Sequence, residues 1–205
     1  MRSAFRIASV LLRYPGEQLL AARGEIDAAI AELPDSVQRS SLQAYMAGSV
    51  DLSPREAAER YVSTFDLRKR ASLYLTFYTH GDTRKRGMAL LRLKKLYRAA
   101  GFPWDSSELP DYLPAMLEFA AIAPEQQGRQ VLGEHRAELE ALRLALHDAD
   151  SPYAHLLHAA AASLGEIDEP QRAKVIELIR NGPPQEQVGL EPFAPPEVMP
   201  VGARP

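Results

Sequence analysis

Apolar residues recur at intervals of three and four along most of this chain, which is the spacing of one buried helix face. Several of these stripes stop at proline, as at Pro15 and Pro34. Ser53 and Glu56 have the spacing of a capping box and mark a helix start. The pattern predicts nine or ten helices, with stripes over residues 4–12, 19–33, 37–46, 53–65, 73–80, 83–100, 109–120, 131–149, 151–164 and 168–179.

Two of these stretches need further argument. Leu73, Leu75 and Phe77 alternate as in a strand, but helices flank them and no second strand signal exists, so we predict a buried helix that ends at Gly81. Residues 109–111, Leu-Pro-Asp, resemble a helix start, and the Asp111 carboxylate is expected to act there as a cap.

The composition changes sharply near the C-terminus. Seven of the sixteen prolines lie in residues 183–205, a stretch with few residues to bury. We therefore predict a single globular all-α bundle over residues 1–181 and a disordered, proline-rich tail over residues 182–205.

Positive charge is concentrated in the middle of the chain. The window from Leu67 to Trp104 carries ten Arg or Lys and one acid, Asp82, so its formal charge is +9. Because the whole chain is −3, the residues outside this window sum to −12. Such asymmetry indicates a face that meets a partner. A nucleic acid is the weaker alternative, because the sequence pI is about 6.0 and Tyr97 is the only aromatic residue among the helix cations.

No catalytic constellation is present in the sequence. The chain has no cysteine, which excludes disulfides, thiolate zinc sites and iron–sulfur ligation by its own side chains. It also lacks G-x-S-x-G, a phosphate-binding glycine loop and H-E-x-x-H. His155 and His158 lie three apart, but the apolar residues around them favour helix packing over metal binding. We expect no enzymatic activity, no bound cofactor and no metal.

The N-terminus does not have the pattern of a signal peptide. Arg6 and Arg13 interrupt its apolar run, and no small-residue cleavage site follows. No stretch reaches the ~18 apolar residues of a transmembrane helix. We therefore expect a cytoplasmic protein without stable membrane association.

Three blocks of sequence carry a resemblance to a known family. They are YVSTFD (61–66), ASLYLTFYTHGDTRKRG (71–87) and LPDYLPAMLEF (109–119), with a weaker similarity in LLRYP (11–15). Together they resemble the NarJ family of nitrate reductase assembly chaperones, within the redox-enzyme maturation chaperones. The resemblance covers residues 7–165 and implies an all-helical, non-enzymatic protein.

The resemblance also implies a partner and a task. Members of this family bind the N-terminal segment and a second region of the apo catalytic (alpha) subunit of respiratory nitrate reductase. They hold that subunit in the cytoplasm while its molybdenum cofactor and an iron–sulfur cluster are inserted, and they are absent from the mature enzyme. A chaperone of another molybdoenzyme and a helical nucleic-acid-binding regulator are the alternatives.

The resemblance places the family's functional pattern on Tyr61, Phe65, Asp66, His80, Gly81, Asp82, Arg84, Arg86, Gly87, Leu109, Pro110, Asp111, Leu113 and Pro114. From these positions and the neighbouring Tyr112 we take twelve candidate client-binding residues. Two positions depart from the pattern: Thr64 replaces a leucine and Tyr112 replaces a histidine that many relatives carry. We place the client helix in a groove between the Tyr61 helix, the Leu73 helix and the Asp111 helix start. The candidates are Tyr61, Phe65, Asp66, His80, Asp82, Arg84, Arg86, Leu109, Pro110, Asp111, Tyr112 and Leu113.

Overall fold

The computed structural model of the protein describes residues 1–184; the predicted tail from residue 185 onwards lies outside them. The described part contains twelve α-helices, a π-helix (Val62–Asp66), a 3₁₀ turn (Lys69–Ala71) and no β-strand. The predicted all-α class is confirmed. The α-helices are α1 (Arg2–Leu11), α2 (Glu17–Ala21), α3 (Arg23–Ala31), α4 (Val37–Ala47), α5 (Pro54–Tyr61), α6 (Leu75–His80), α7 (Arg84–Ala99), α8 (Leu113–Ile122), α9 (Glu125–Glu134), α10 (Arg136–Asp148), α11 (Tyr153–Ala162) and α12 (Glu169–Asn181).

The helix number exceeds nine or ten because two predicted helices are each divided. The stripe over residues 19–33 breaks at Ala22, between α2 and α3, and the stripe over residues 131–149 breaks at His135, between α9 and α10. A glycine lies two residues from each break, Gly24 and Gly133, and glycine is a poor helix former. Periodicity alone carries over such a break, because the apolar spacing continues across it.

The core lies where α1, α8 and α11 meet. Helix α1 packs against α8 and α11, α4 packs against α11, and α10 joins α11 to α12. Phe5, Leu12, Leu42, Met116 and Leu157 are fully buried in this centre. The burial of such side chains is worth about 1.5–3 kcal/mol each and holds the helices together.

Several predicted helix boundaries are confirmed. Ser53 and Glu56 form the expected capping box at the start of α5. Asp168 forms a second one with Gln171 at the start of α12. Helix α12 ends at Asn181, but the predicted division into a helical domain and a disordered tail stays a prediction.

Two predicted helix starts are wrong. Leu73 lies at a bend and Tyr74 is extended, so neither is helical, and α6 begins at Leu75. Helix α8 begins at Leu113 and not at Leu109. The reason is an antiparallel bridge between Tyr74 and Tyr112, which holds the residue before each of these helices in an extended conformation.

The described residues contain neither a membrane-spanning helix nor a metal-binding cluster of side chains. No helix among residues 1–184 is long and apolar enough to cross a membrane. No group of three or more His, Asp or Glu side chains in the same residues could hold a metal ion. His158 instead shares a hydrogen bond with Ser41, at 3.3 Å between Nδ1 and Oγ.

Candidate functional site

The first sequence block forms an aromatic interior rather than a surface. Tyr61 ends α5, and the following π-helix closes with a 3.2 Å bond from the Leu67 N–H to the Val62 carbonyl. Tyr61 and Phe65 are only 6% and 8% exposed. The Phe65 ring lies 4.9 Å from the Tyr61 ring and 4.7 Å from the Tyr153 ring. Both candidates are therefore packed in the interior and are not part of the surface.

Thr64, which departs from the family pattern, is also buried in this π-helix. Its hydroxyl donates to the Arg60 carbonyl at 2.7 Å. A buried hydroxyl needs such a partner, and a carbonyl four residues earlier supplies it. The substitution of leucine by threonine is thus accommodated within the helix.

The second and third blocks are joined by backbone hydrogen bonds. The Leu75 N–H donates to the Asp111 carbonyl at 3.0 Å, and the Leu113 N–H donates to the Leu73 carbonyl at 2.7 Å. The Tyr74 and Tyr112 rings lie 5.4 Å apart across this bridge. The bridge fixes where α6 and α8 begin relative to each other.

Asp111 is fully buried and caps a helix from a distant part of the sequence. Its Oδ2 accepts hydrogen bonds from the Thr76 N–H, at 3.2 Å, and from the Thr76 hydroxyl. Thr76 lies in the first turn of α6, where backbone N–H groups lack helical partners. The expected capping role is correct, but the capped helix is α6 and not α8. Asp111 is fully buried in this conformation, and its part in client binding stays a prediction.

Arg86 extends this buried network to α7. Its guanidinium lies 3.4 Å from Asp111 Oδ2 and 3.1 Å from Asp82 Oδ1. It also lies 5.8 Å and 5.7 Å from the ring centres of Tyr74 and Phe77, within cation–π range. We call Asp111, Thr76 and Arg86 the buried clamp, because they tie the starts of α6, α7 and α8 together.

The His-Gly-Asp turn lies beneath the chain that leaves α12. Gly81 has a φ of +54°, which glycine adopts without strain. A Cβ atom at this position would lie 1.7 Å from the Pro184 carbonyl oxygen, so the close approach also requires glycine. Burial lowers the pKa of the neighbouring His80, although the nearby Glu138 carboxylate acts in the opposite direction. Only Asp82 of this turn is well exposed.

Tyr112 joins the aromatic interior to the surface. Its hydroxyl lies 3.3 Å from the Tyr61 hydroxyl, and burial raises the pKa of both phenols. Both are therefore neutral near pH 7 and can share this hydrogen bond. The Tyr112 side chain is half-buried, with its free side facing a groove.

The structure thus divides the twelve predicted residues into three groups. Asp66, Asp82, Arg84 and Leu109 are exposed. His80, Arg86 and Tyr112 are half-buried, and buried positions are held by Tyr61, Phe65, Pro110, Asp111 and Leu113. A surface contact is open to the first two groups, whereas the third group holds the structure behind them.

An aromatic groove lies on the outer side of Tyr112. It has a volume of about 570 Å³ and runs between α1, α8 and the loop that follows α7. We call it the Tyr112 groove. Its principal apolar wall residues are Tyr14, Phe102, Trp104, Tyr112 and Ile122.

Acidic side chains dominate the polar part of the Tyr112 groove. Glu108 accepts hydrogen bonds from the Tyr74 hydroxyl and, through its carbonyl, from the Trp104 indole, both at 2.9 Å. Glu118 binds Arg13 at 2.5 Å. Asp105 also lines the groove. The groove therefore suits a helix with apolar anchors and a basic residue.

Sequence reasoning missed most of the groove wall. Tyr14, Phe102, Trp104 and Ile122 were not among the candidates, because they come from three segments that only the fold brings together. A partial signal exists: Tyr14 lies in the LLRYP segment of the resemblance, and Trp104 lies in an aromatic loop after α7. The exposed fractions of Tyr14 and Ile122, 54% and 47%, make both accessible to a partner.

A second cavity, of about 440 Å³, lies elsewhere on the bundle. Arg68, Arg70 and Tyr78 line it together with residues of α10 and the end of α12. None of the twelve predicted residues lines it. Of the twelve, Tyr112 alone lines the Tyr112 groove, and on this ground we take that groove as the candidate functional site.

Comparison with solved structures first gives the fold class. The fold matches the crystal structure of a protein from Archaeoglobus fulgidus assigned to redox enzyme maturation, with a TM-score of 0.59 and 20% identity over 81% of this chain and 94% of that one. At this identity the match establishes the fold alone. It places the chain among the all-helical bundles of that architecture.

The family follows from sequence. A family model described as "Nitrate reductase delta subunit" matches residues 30–159. A protein of Bacillus subtilis (strain 168), named "Probable nitrate reductase molybdenum cofactor assembly chaperone NarJ", is 39% identical over 80% of this chain and 89% of its own length. The chain therefore belongs to the nitrate reductase delta subunit family, as its motifs indicated.

Other relatives agree. The Escherichia coli (strain K12) protein named "Nitrate reductase molybdenum cofactor assembly chaperone NarJ" is 33% identical over 73% of this chain and 64% of its own length. The "Nitrate reductase-like protein NarX" of Mycobacterium tuberculosis (strain H37Rv) is 41% identical over 80% of this chain, which spans 24% of that longer protein. Family membership makes the chain a maturation chaperone and not an enzyme, which confirms the prediction from sequence.

Proposed function

We propose that this chain is an assembly chaperone for a respiratory nitrate reductase. It binds the apo catalytic subunit in the cytoplasm and holds it while the molybdenum cofactor and an iron–sulfur cluster are inserted. It then leaves before the enzyme is mature. The observation that carries this proposal is the 39% identity over 80% of the chain with the Bacillus subtilis protein of that name.

The proposed binding site is the Tyr112 groove. A client helix places its apolar side chains against Tyr14, Phe102 and Ile122, and a basic side chain meets the acidic rim at Asp105 and Glu108. The sequence predicted a groove between the Tyr61 helix, the Leu73 helix and the Asp111 helix start. The groove proposed here shares Tyr112 with that region but lies on its outer side. The buried candidates act by holding that segment in place, whereas His80, Asp82 and Arg84 lie outside the groove lining.

The groove's chemistry fits a chaperone that must release its client. Apolar anchors contribute about 1.5–3 kcal/mol each when fully buried, and ordering of a flexible client segment offsets part of this gain. An affinity near ~1 µM, or about −8 kcal/mol, follows from a few such anchors. With association at ~10⁵–10⁶ M⁻¹s⁻¹, such a complex dissociates within seconds.

A calorimetric titration tests the proposal. The ligand is a synthetic peptide from the N-terminus of the nitrate reductase catalytic subunit. We expect one-to-one binding near ~1 µM for the wild type. Replacement of the two most exposed wall residues, Tyr14→Ser with Ile122→Ser, is expected to weaken binding about 30-fold, since each loses an apolar anchor.

The matched control replaces two equally exposed apolar residues outside the groove. Val50→Ser with Ile176→Ser, at positions 64% and 57% exposed, should leave the affinity within about twofold of wild type. Equal weakening in both double variants would refute the groove as the binding site. Absence of any wild-type binding would refute the client assignment, and tighter binding of the equivalent peptide from another molybdoenzyme would redirect it.

A further inference from the structure

Helix α7 has one face in the bundle and one face exposed to solvent. Leu93 and Tyr97 are only 2% and 1% exposed and anchor the inner face. Outward lies a continuous stripe spaced four and three residues apart, and residues at that spacing share one side of a helix. The stripe, which we call the α7 ridge, consists of Arg84, Met88, Leu91, Lys95 and Arg98, all of them exposed.

The middle of the α7 ridge is apolar. Met88 is 70% exposed and Leu91 is 53% exposed, although both are large hydrophobic side chains. Cations lie at either end of the ridge, and at ~1.5 Å per residue the stripe is about 21 Å long. The helix therefore presents a short apolar strip between positive charges.

Most of the positive charge near the ridge is not neutralised by this chain. Arg92 pairs with Glu134 at 3.0 Å, and Arg86 belongs to the buried clamp. In the described part of the chain, no carboxylate lies within ion-pair distance of Lys85, Lys94, Lys95 or Arg98. The acids in that part of the chain therefore form no ion pair with these four residues.

We propose that the α7 ridge binds the surface of an anionic lipid bilayer. Lys and Arg residues near such a surface interact with its headgroups, and exposed apolar side chains between them enter the headgroup boundary. The ridge is one exposed side of a helix, so it can lie on a flat surface without a complementary pocket. This is a reversible, salt-sensitive contact, distinct from the stable membrane association that the sequence argued against.

A nucleic acid fits the ridge less well. The outward stripe contains no aromatic side chain for base stacking, and Met88 and Leu91 occupy its centre, where a phosphate backbone would need further cations. A lipid surface instead uses those two residues. Acids on other faces of the bundle oppose either polyanion weakly, because salt screens charges over about 10 Å at 0.1 M.

Vesicle co-sedimentation of the full-length protein tests the proposal. The probes are vesicles of phosphatidylcholine alone and vesicles that also contain phosphatidylglycerol, at low and high salt. We expect binding to the anionic vesicles only, and weaker binding at high salt. Because each cation contributes about fivefold, Lys95→Glu with Arg98→Glu should lower partitioning about 25-fold or more.

Two further variants separate the charge from the apolar strip. Met88→Ser with Leu91→Ser should weaken binding while the salt dependence is retained, because the cations remain. The charge-matched control is Arg55→Glu with Arg129→Glu, whose side chains are 86% and 49% exposed on α5 and α9. This control should change partitioning less than about threefold, since those sites lie off the ridge.

Three results would overturn the proposal. The first is no sedimentation with anionic vesicles at low salt. The second is an equal loss in the ridge and control variants, which would reflect net charge alone. The third is loss of duplex DNA binding or of client-peptide binding in the ridge variants while vesicle binding is unchanged. The test does not depend on the client, so it can fail while the proposed function stands.

Discussion

The buried clamp and the Tyr112 groove meet at two neighbouring residues, Asp111 and Tyr112, which differ in exposure and in what they contact. Asp111 is 0% exposed and binds Thr76 and Arg86, whereas Tyr112 is half-buried and faces the groove. Asp111 lies in a turn that the Tyr112 N–H closes on the Leu109 carbonyl at 3.2 Å, whereas Tyr112 itself is extended in the bridge with Tyr74. In such a motif, the conspicuous carboxylate holds the structure and its neighbour remains available to a partner.

The largest expected effect is at the clamp. Asp111→Ala leaves the partly buried Arg86 guanidinium and the start of α6 without their shared acceptor, and loss of one partner from a buried pair costs about 3 kcal/mol. We expect urea unfolding to show this loss. Asp82→Ala, at an exposed partner of the same arginine, should cost less than about 1 kcal/mol. Comparable values for the two variants would contradict the division between clamp and surface.

A second effect is expected at the His-Gly-Asp turn. Gly81→Ala combines an unfavourable positive φ with a clash against Pro184, and we expect a loss of about 2 kcal/mol in free energy of unfolding. Gly101→Ala tests the φ effect alone, because no atom lies near its added Cβ. In a chain that ends at Asn181, the two substitutions should become equal. A persistent difference there would show that Pro184 is not the cause.

A smaller effect is the dependence of folding stability on pH through His135, the buried residue between α9 and α10. Burial lowers the pKa of His135 from its ordinary value of 6.5, despite the nearby Glu138. Below pH 6.5 the unfolded chain therefore binds a proton that the folded chain refuses, and stability falls as the pH is lowered. His135→Gln should reduce this slope, which is at most about 1.4 kcal/mol per pH unit, in unfolding measured between pH 7 and 5. An unchanged slope would contradict the role of His135.

The smallest stability effect is expected in the groove. Ile122→Ser should change the free energy of unfolding by less than about 0.5 kcal/mol, because the side chain is 47% exposed and lies at the end of α8. It should nevertheless weaken client binding. A substantial loss of stability would mean that the groove wall, like the clamp, holds the fold together.

How far the sequence predicts the structure depends on the distance over which each feature is determined. Apolar spacing and local caps such as Ser53 act within a few residues, so the all-α class and most helix ends followed from them. The extended conformation of Tyr74 and the true role of Asp111 depend on pairing between segments more than 30 residues apart. No periodicity encodes that pairing.

The groove was harder to predict for the same reason. Tyr14, Trp104 and Ile122 come from the turn after α1, the loop after α7 and the end of α8, which only the folded bundle brings together. Motif likeness included Tyr112, which lines the proposed groove, but it also included buried residues such as Tyr61. In the proposed site, the buried motif residues therefore lie behind the accessible residues that form the groove surface.

The central claim, that the Tyr112 groove receives the client, can be tested most directly by cysteine protection. Because the chain has no cysteine, Ile122→Cys and Ile176→Cys each introduce a single reactive thiol, one in the groove and one on α12. Alkylation of both is followed with and without the apo catalytic subunit of nitrate reductase. We predict that the client slows alkylation at position 122 at least about tenfold and leaves position 176 unchanged. Equal rates at position 122 with bound and absent client would contradict the account.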